Sequence, residues 1–382
     1  MFLKQEKYLD EKPPRAIQFR SAEYTLELGR YIKPYEKAMY ETVLGPSGTP
    51  VFAKSRNAEE RAQLCIDKWG HFKNPICYQI DYSKFDAHVT PAHLRSQHKA
   101  YAAAFGNDPY LLWLLSLQIK NLGYTKHGQR YISNGRRMSG DIDTGCGNSK
   151  INYDVLRKIF PEADYLIDGD DCLVFCEKGT NCPSGAFGFT FKSKLFTELS
   201  GLMFCSSRLM LTVGRFVRDY REVISKHSHT YRNIPGAEAR LLASIGMCEL
   251  ALGAGVPILQ EFGLLLAASS DKLLADWELD YKLQGLVPRV LEVSDEARLE
   301  FYNIFEMLPS EQLAFETSLF TPHSVIRLLH GSNTTWKRER TVIGVLGSAQ
   351  GPLFRLTSSR QLRQPVEEHP PAPKSSWDWE TF

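Results

Sequence analysis

The sequence predicts an α+β fold, in which antiparallel strands carry the chemistry and helices cover them. Two observations lead there. Tyr165 to Cys176, YLIDGDDCLVFC, is an apolar, β-prone run broken in its middle by Gly169-Asp170-Asp171, the pattern of two buried strands joined by a tight turn. Several other stretches carry helical spacing with capping residues at their starts. At 382 residues the chain exceeds the size at which one core keeps growing, so two or three subdomains are expected.

The totals exclude more than they assign. A formal net charge of +2 does not mark the whole chain as nucleic-acid binding, so any basic surface must be local. The eight cysteines are scattered without a Cys-x-x-Cys pair, as expected for free thiols in a reducing compartment. Cys172 and Cys176 read as core residues of their strand. The first residues, MFLKQEKYLDEK, carry charges where a signal peptide needs an apolar region. The longest apolar stretches, from Tyr110 and from Phe262, fall short of the roughly 20 residues that span a bilayer.

In chain order, Lys12-Pro-Pro-Arg15 and the alternating Ala-Ile-Gln-Phe-Arg20 predict an extended segment, with Arg15 and Arg20 on opposite faces. A helix is expected from Ser21 to about Tyr40, broken by Gly45-Pro46-Ser47-Gly48, and another from Ala58 to Phe72, stopped by Asn74-Pro75. Ile76 to Ile80 reads as a strand ending in Asp81. Thr90-Pro91 is a helix start, with helices over Pro91 to Phe105 and Asp108 to Lys120. Asp81 and Asp86 lie five residues apart between strand and helix, a spacing that can put one carboxylate on a metal and the other on a bound substrate. An ordinary acidic loop would look the same.

Gly123 to Met138 predicts a hairpin turning near His127-Gly128. It leads into SGDIDTGCGN, where Ser139-Gly140, Gly145 and Gly147 suggest a flexible turn opening a helix at about Asn148 and presenting amides and hydroxyls to a ligand. Asp170 and Asp171 then stand at a hairpin tip. Two like charges about 4 Å apart repel by roughly 4 kcal/mol at an effective dielectric near 20, so a buried pair of this kind commonly holds a cation. Beyond it, Phe187 to Phe191 is strand-like with Lys192 and Lys194 following, and Leu202 to Leu211 suggests a further hairpin. Arg215, Arg218, Arg221, Lys226 and Arg232, set among aromatics, suggest a face for nucleic acid; His227 and His229 read as surface residues. From Pro235 to about Arg360 the pattern is mainly helical, and the Pro-rich tail is expected to be disordered.

Taken jointly, Asp81-x4-Asp86, Ser139-Gly140-x3-Thr144-x3-Asn148 and Gly169-Asp170-Asp171 resemble, in that order, motifs A, B and C of viral RNA-dependent RNA polymerases. The wording of IDYSKFDAHVT, SGDIDTGCGN and DGDDCLVF is most similar to the tombusvirus-like polymerases within the flavivirus-like supergroup. FLKQEK, KPPRAIQFRS and LGRYIKP resemble the basic motif F, FCSS resembles motif E, and IGMCELALGAGVPILQ resembles a thumb helix of the group. The resemblance covers roughly residues 2 to 265.

It implies a right-hand polymerase: partial fingers with the basic motif over 1–75, an antiparallel-sheet palm over 76–91 and 135–225, a fingers insertion over 92–134, a helical thumb over 226–350 and the tail over 351–382. It implies RNA-directed RNA synthesis from NTPs, with Asp81, Asp170 and Asp171 binding two Mg2+ ions, for which Mn2+ can substitute. Arg15, Arg20 and nearby lysines would hold the triphosphate, and Lys192, with Lys194 second, would protonate the pyrophosphate. Asp86, Thr144 and Asn148, in the loop begun by Ser139, would read the ribose 2′-hydroxyl. The implied partners are RNA template and product and an upstream viral replication protein supplying the rest of the fingers; the implied setting is host cytoplasm, with membranes reached only indirectly through replication complexes. Two other readings stand beside this one. A catalytically incomplete, RNA-binding component of a replication complex fits the short front end, and a metal-dependent nuclease shares the clustered acids but leaves the Ser-Thr-Asn loop without a role.

Overall fold

The structure is a computed structural model; it describes residues 1–4, 13–125, 127–227, 234–274, Leu283 and 285–319, with the backbone of short strands at 229–230, 327–330 and 342–344. The chain divides into two compact units, Met1–Lys226 with Leu299–Met307, and His227–Arg298 with 308–382.

The first unit is built on a five-stranded antiparallel sheet. Its strands are β3 (Pro75–Tyr82), β6 (Asp164–Asp168), β7 (Asp171–Glu177), β8 (Gly185–Ala186) and β9 (Phe189–Phe196), in the order β6-β7-β3-β9-β8. The Tyr165–Cys176 run is apolar without alternation because both faces of the sheet are covered. Cys172, Val174 and Cys176 of β7, with Ile76 and Ile80 of β3, pack toward α1 (Ala22–Thr42), α4 (Pro91–Ala104) and α6 (Thr144–Ile159). Leu173 and Phe175, with Cys77 and Leu166, face α2 (Ala58–Gly70) and a small sheet of β10 (Met203–Phe204), β11 (Ser207–Met210) and β12 (Arg215–Arg218). Residues 51–53 lie along the outer side of β6, with Ala53 N–H donating to the Ile167 carbonyl and Ile167 N–H to that of Val51.

Local signals account for the helix starts. Ser21 Oγ accepts from Tyr24 N–H, Asn57 and Glu60 form a reciprocal capping box, and Thr90 caps a helix whose first residue is Pro91. The second helix of the pair expected there is shorter than its apolar run, α5 (Pro109–Ser116), because the chain turns into a hairpin of β4 (Lys120–Tyr124) and β5 (Arg130–Asn134).

Four expectations are corrected. The helix expected to open at Asn148 begins at Thr144, so Gly145 and Gly147 lie inside it and supply close approach instead of flexibility. A Cβ on Gly147 would stand 2.4 Å from Arg137 Nη2. The stretch read as one thumb helix is two, α8 (Glu238–Leu252) and α9 (Leu259–Ala267), broken where Ile258 takes a positive φ of 66°. Arg215 is no nucleic-acid contact: its side chain is buried and paired with Glu59 at 2.5 Å, while Lys226 pairs with Glu222. His227, read as a surface residue without an acidic neighbour, sits 2.7 Å from the buried carboxylate of Glu249. The expectations for Lys12, Arg232 and the tail lie outside the described residues.

In the second unit α8 packs on α9, and α11 (Pro309–Leu319) is tied in through Glu316, which accepts from Arg298 at 2.9 Å and from Ile258 N–H at 2.8 Å. All eight cysteines are free thiols. Among the described residues no helix is long and apolar enough to cross a membrane.

One buried ion pair joins α2 to β6. Lys68 Nζ and Asp164 Oδ1 are 2.8 Å apart with both side chains wholly buried, and Asp164 also accepts from Ser47 N–H at 2.9 Å and Tyr165 N–H at 2.7 Å. Burial pulls the Lys68 ammonium pKa down, and Asp164 opposes that pull. Lys68→Met, which leaves the carboxylate without its cation, is expected to cost about 3–5 kcal/mol in urea unfolding. A loss below about 1 kcal/mol would mean that the two backbone donors hold Asp164 unaided.

Candidate active site

The candidate site forms where β3, β6 and β7 end. Strands β6 and β7 are in register from Asp164↔Phe175 to Asp168↔Asp171, leaving Gly169 and Asp170 as the two central residues of the turn. Gly169 has φ 71° and Asp170 is not among the residues with positive φ, the pattern of a II′ hairpin turn, which takes glycine at its first central position. On the other side of β7, the β3 register reaches Ile80↔Cys172, and one further step sets Asp81 opposite Asp171. Strand β9 completes the row, with Asp81 opposite Lys192. Cross-strand partners point to the same side of a sheet, so Asp81, Asp168, Asp171 and Lys192 share the face covered by α2 and β10–β11.

The electrostatics follow from that crowding. Desolvation, then the charges of Asp170, Asp168 and Asp81, push the Asp171 carboxyl up to about 6. Asp170 is raised by desolvation and by Asp86, Asp168 and Asp81. Asp168 is ion-paired: Lys54 Nζ lies 2.5 Å from Oδ1 and Arg61 Nη2 2.8 Å from Oδ2. The thiol of Cys205 hydrogen-bonds Asp171 from the β10–β11 turn, where Cys205 and Ser206 both have positive φ, 48° and 57°. Two positive central residues make this a I′ turn built without glycine, a strained arrangement of the kind found at functional sites.

Helix α6 holds the hairpin tip from the opposite face. Gly169 N–H donates to Ser149 Oγ at 2.9 Å. Asn152 Nδ2 donates to the Gly169 carbonyl at 3.1 Å, while Asn152 Oδ1 accepts from the Tyr82 hydroxyl at 2.9 Å. Ser149 and Asn152 are fully buried, so the ends of β3 and β7 are fixed to one helix by bonds shielded from water.

One turn earlier on α6, Asn148 Nδ2 donates to Asp86 Oδ1 at 2.7 Å. The structure thus brings Asp86 and Asn148 together, as the sugar-reading assignment needs. Burial raises the Asp86 pKa, opposed by Asn148, Arg137 and Arg15. A cavity of about 400 Å³ opens beside Asp86, lined also by Gln18, Tyr131, Arg136, Arg137 and Ser139. A larger groove of about 770 Å³ lies by Tyr110 and Trp113 and touches none of Asp81, Asp86, Asp170 or Asp171.

The other expected residues divide. Arg15 is exposed and its charge reaches Asp86, whereas Arg20 is committed to Asp141 (Nε to Oδ1, 2.5 Å) and Asn121 (Nη2 to Oδ1, 2.6 Å). The Thr144 hydroxyl donates to the Met138 and Asp141 carbonyls at 2.9 and 2.8 Å, holding the loop together. Ser139 Oγ lies 3.4 Å from the Ala16 carbonyl, tying that loop to the basic segment. Lys192 is exposed beside Asp81, while Lys194 lies over the Phe196 ring.

Sequence reading missed Lys54, Arg61, Arg137, Ser149, Asn152 and Asp168. Asp168 alone had a local signal, since in a hairpin with a two-residue turn it must face Asp171.

Whether the residues present suit a divalent metal can be judged from the donors. Asp81, Asp170 and Asp171 offer hard carboxylate oxygens whose mutual repulsion a cation would relieve, which suits Mg2+ or Mn2+. They do not close into a cage: among the described residues no three His, Cys, Asp or Glu side chains gather tightly enough to hold an ion.

Comparison with known proteins agrees with this arrangement. Residues 1–323 match the family of viral RNA-dependent RNA polymerases. The RNA-directed RNA polymerase of Carnation mottle virus is 32% identical over 345 residues, covering 82% of this chain and 45% of that protein. Those of Turnip crinkle virus (30% identical, 79% of this chain, 43% of the relative) and Tobacco necrosis virus strain A (28%, 82% and 48%) are similar over nearly the same extent. The chain spans a little under half the length of these curated relatives. With its three acidic and polar motifs converging around one sheet end and the family match covering most of its length, the chain belongs to the viral RNA-dependent RNA polymerases.

Proposed function

We propose that the chain carries out RNA-directed RNA synthesis, transferring nucleotides from NTPs to an RNA 3′-hydroxyl at the end of the five-stranded sheet, which would be the palm of a right-hand polymerase. The observation that carries this reading is the row of Asp81 and Asp171 on adjacent strands, with Asp170 in the turn between strands and the Asp86–Asn148 pair close by.

Asp81, Asp170 and Asp171 would hold Mg2+. Bound there, the metal supplies activation of the 3′-hydroxyl and charge compensation on the leaving pyrophosphate. The remaining roles fall to the chain itself. Arg15, exposed beside Asp86, pairs with the triphosphate, while Arg20 braces the motif B loop through Asp141. Lys192 Nζ holds a proton beside Asp81 for the departing pyrophosphate. Asp86 and Asn148 recognise the ribose 2′-hydroxyl, and a deoxy analogue leaves Asp86 Oδ2 without its donor. The partners in this reading are RNA and NTPs.

Three measurements test it. In primer extension with Mg2+, Asp170→Ala should lose at least about 100-fold in rate; equal extension by variant and parent chain would leave an RNA-binding role without catalysis. Asp86→Ala should reduce the preference for ribo- over deoxynucleotides in single-nucleotide incorporation by on the order of 100-fold, with metal activation nearly unchanged. Intact discrimination would remove Asp86 from sugar recognition. The third concerns pH. Because the Asp171 carboxyl titrates near 6 in the fold, well above an ordinary aspartate, its neutral form favours folding at low pH. That contribution is lost as pH rises through about 6. A cation needs the ionised form, so Mn2+ affinity measured by calorimetry should weaken about tenfold per pH unit below that point. An affinity that stays flat from about pH 5 to 7 would exclude Asp171 as a ligand.

A further inference from the structure

Behind the Asp86–Asn148 pair lies an almost wholly buried charged group, at the inner wall of the cavity beside Asp86. Arg137 is buried, and its guanidinium makes three bonds: Nε to Asn148 Oδ1 at 3.0 Å, Nη1 to Asp143 Oδ2 at 3.1 Å, and Nη2 to Gln97 Oε1. Asp143, also fully buried, accepts in addition from Gln97 Nε2 at 2.7 Å and Gln118 Nε2 at 2.9 Å. The backbone fixes the arginine as well, since Arg137 N–H donates to the Asp86 carbonyl at 2.9 Å. An ion pair in such a place adds little net stability over apolar residues of similar volume, which points to a geometric role.

Donor chemistry defines that role. A guanidinium donates and never accepts, so the Asn148 oxygen must face Arg137 and the Asn148 NH2 must face Asp86. A 180° rotation of the amide would set its NH2 against the guanidinium and its oxygen against the carboxylate, two repulsive contacts at once. With Oδ1 of Asp86 taken by Asn148, Oδ2 is the oxygen left to accept from a ligand hydroxyl.

Resting on the sugar-reading assignment above, we infer that Arg137 is a positioning residue for ribose selection: it sets the orientation of the Asn148 amide and, through it, of the Asp86 carboxylate that accepts the 2′-hydroxyl. Gly147 belongs to the same device, because a side chain there would meet Arg137 and Gln97. Arginine is needed for its shape as well as its charge. Its planar fork reaches Asn148, Asp143 and Gln97 together, which the single ammonium of lysine cannot do.

The test is a double-mutant cycle on the whole chain, read as the ratio of dissociation constants for dGTP and GTP by calorimetry, so that no turnover is required. Arg137→Lys keeps a positive charge facing Asp143, and thermal melting checks that it folds. It should lower the dGTP/GTP ratio at least about fivefold with Asn148 present and leave it unchanged in the Asn148→Ala background. Should Arg137→Lys fail to fold, Gln97→Met, which removes one acceptor of the fork, should lower the ratio in the same Asn148-dependent way. A merely structural contribution would weaken GTP and dGTP alike, or lower the ratio equally in both backgrounds, and either result overturns the inference. If Asn148→Ala itself leaves the ratio intact, the sugar-reading assignment falls and the inference with it. If Asn148→Ala lowers the ratio but Arg137 shows no coupling, the inference alone falls.

Discussion

Repulsion among carboxylates at one end of a covered sheet is the constraint around which the first unit is arranged. Asp81, Asp168, Asp170 and Asp171 are brought together by strand pairing that cannot be relaxed, because β3 and β7 are packed on both faces. Shifting the register by one residue would drive Asp81 into the face packed by α1, α4 and α6 and move Ile80 to the other. The charge therefore has to be managed where it stands. Asp168 is handed to Lys54 and Arg61, while Asp170 and Asp171 are left raised by one another and by their neighbours. That asymmetry separates an ion-paired carboxylate from two that burial and like charge hold above the ordinary aspartate range.

Helix α6 is the second organising element, since three of its side chains tie separate parts of the site together. Asn148 meets Asp86, Ser149 accepts from Gly169, and Asn152 joins Tyr82 to the turn carbonyls. The Asp86 contact and the hairpin tip are thereby held to one rigid body at a spacing of one helical turn. The glycines preceding these residues let the helix start close to Arg137, Gln97 and Lys54, which is why a stretch that looks loose in composition is among the most tightly packed in the unit.

How much of this was legible in the sequence depends on the range of each interaction. The hairpin at Gly169–Asp170, the strand ending at Asp81, the Thr90 cap and the β4–β5 hairpin are short-range features, and residue type alone predicts them. The family resemblance grouped Asp86, Thr144 and Asn148 at one ligand, and the structure hydrogen-bonds Asp86 to Asn148 across 62 positions, a contact that local physics could not have supplied. Cations that look free in a linear reading proved harder. Arg20 and Arg215 each find a carboxylate far along the chain, Asp141 and Glu59, and nothing in their local sequence announces it. The start of α6 was misplaced because glycine favours loops in water, whereas here it is selected by what crowds against the helix.

The same reasoning bears on why the acidic residues do not form a closed cage. A site that held three carboxylates at ligand distance without a cation would carry their full repulsion into the folded state. Spreading them over a strand end, a turn and the neighbouring strand keeps that repulsion tolerable, and the Cys205 thiol supplies partial compensation through its hydrogen bond to Asp171. A cation between them would lower the cost of drawing the carboxylates closer, which is the condition the proposed metal site requires. In that view the buried polar ties of Ser149, Asn152 and Arg137 have a distinct task. They keep the backbone around the acids stiff, so that the strand register is held independently of what the carboxylates pair with.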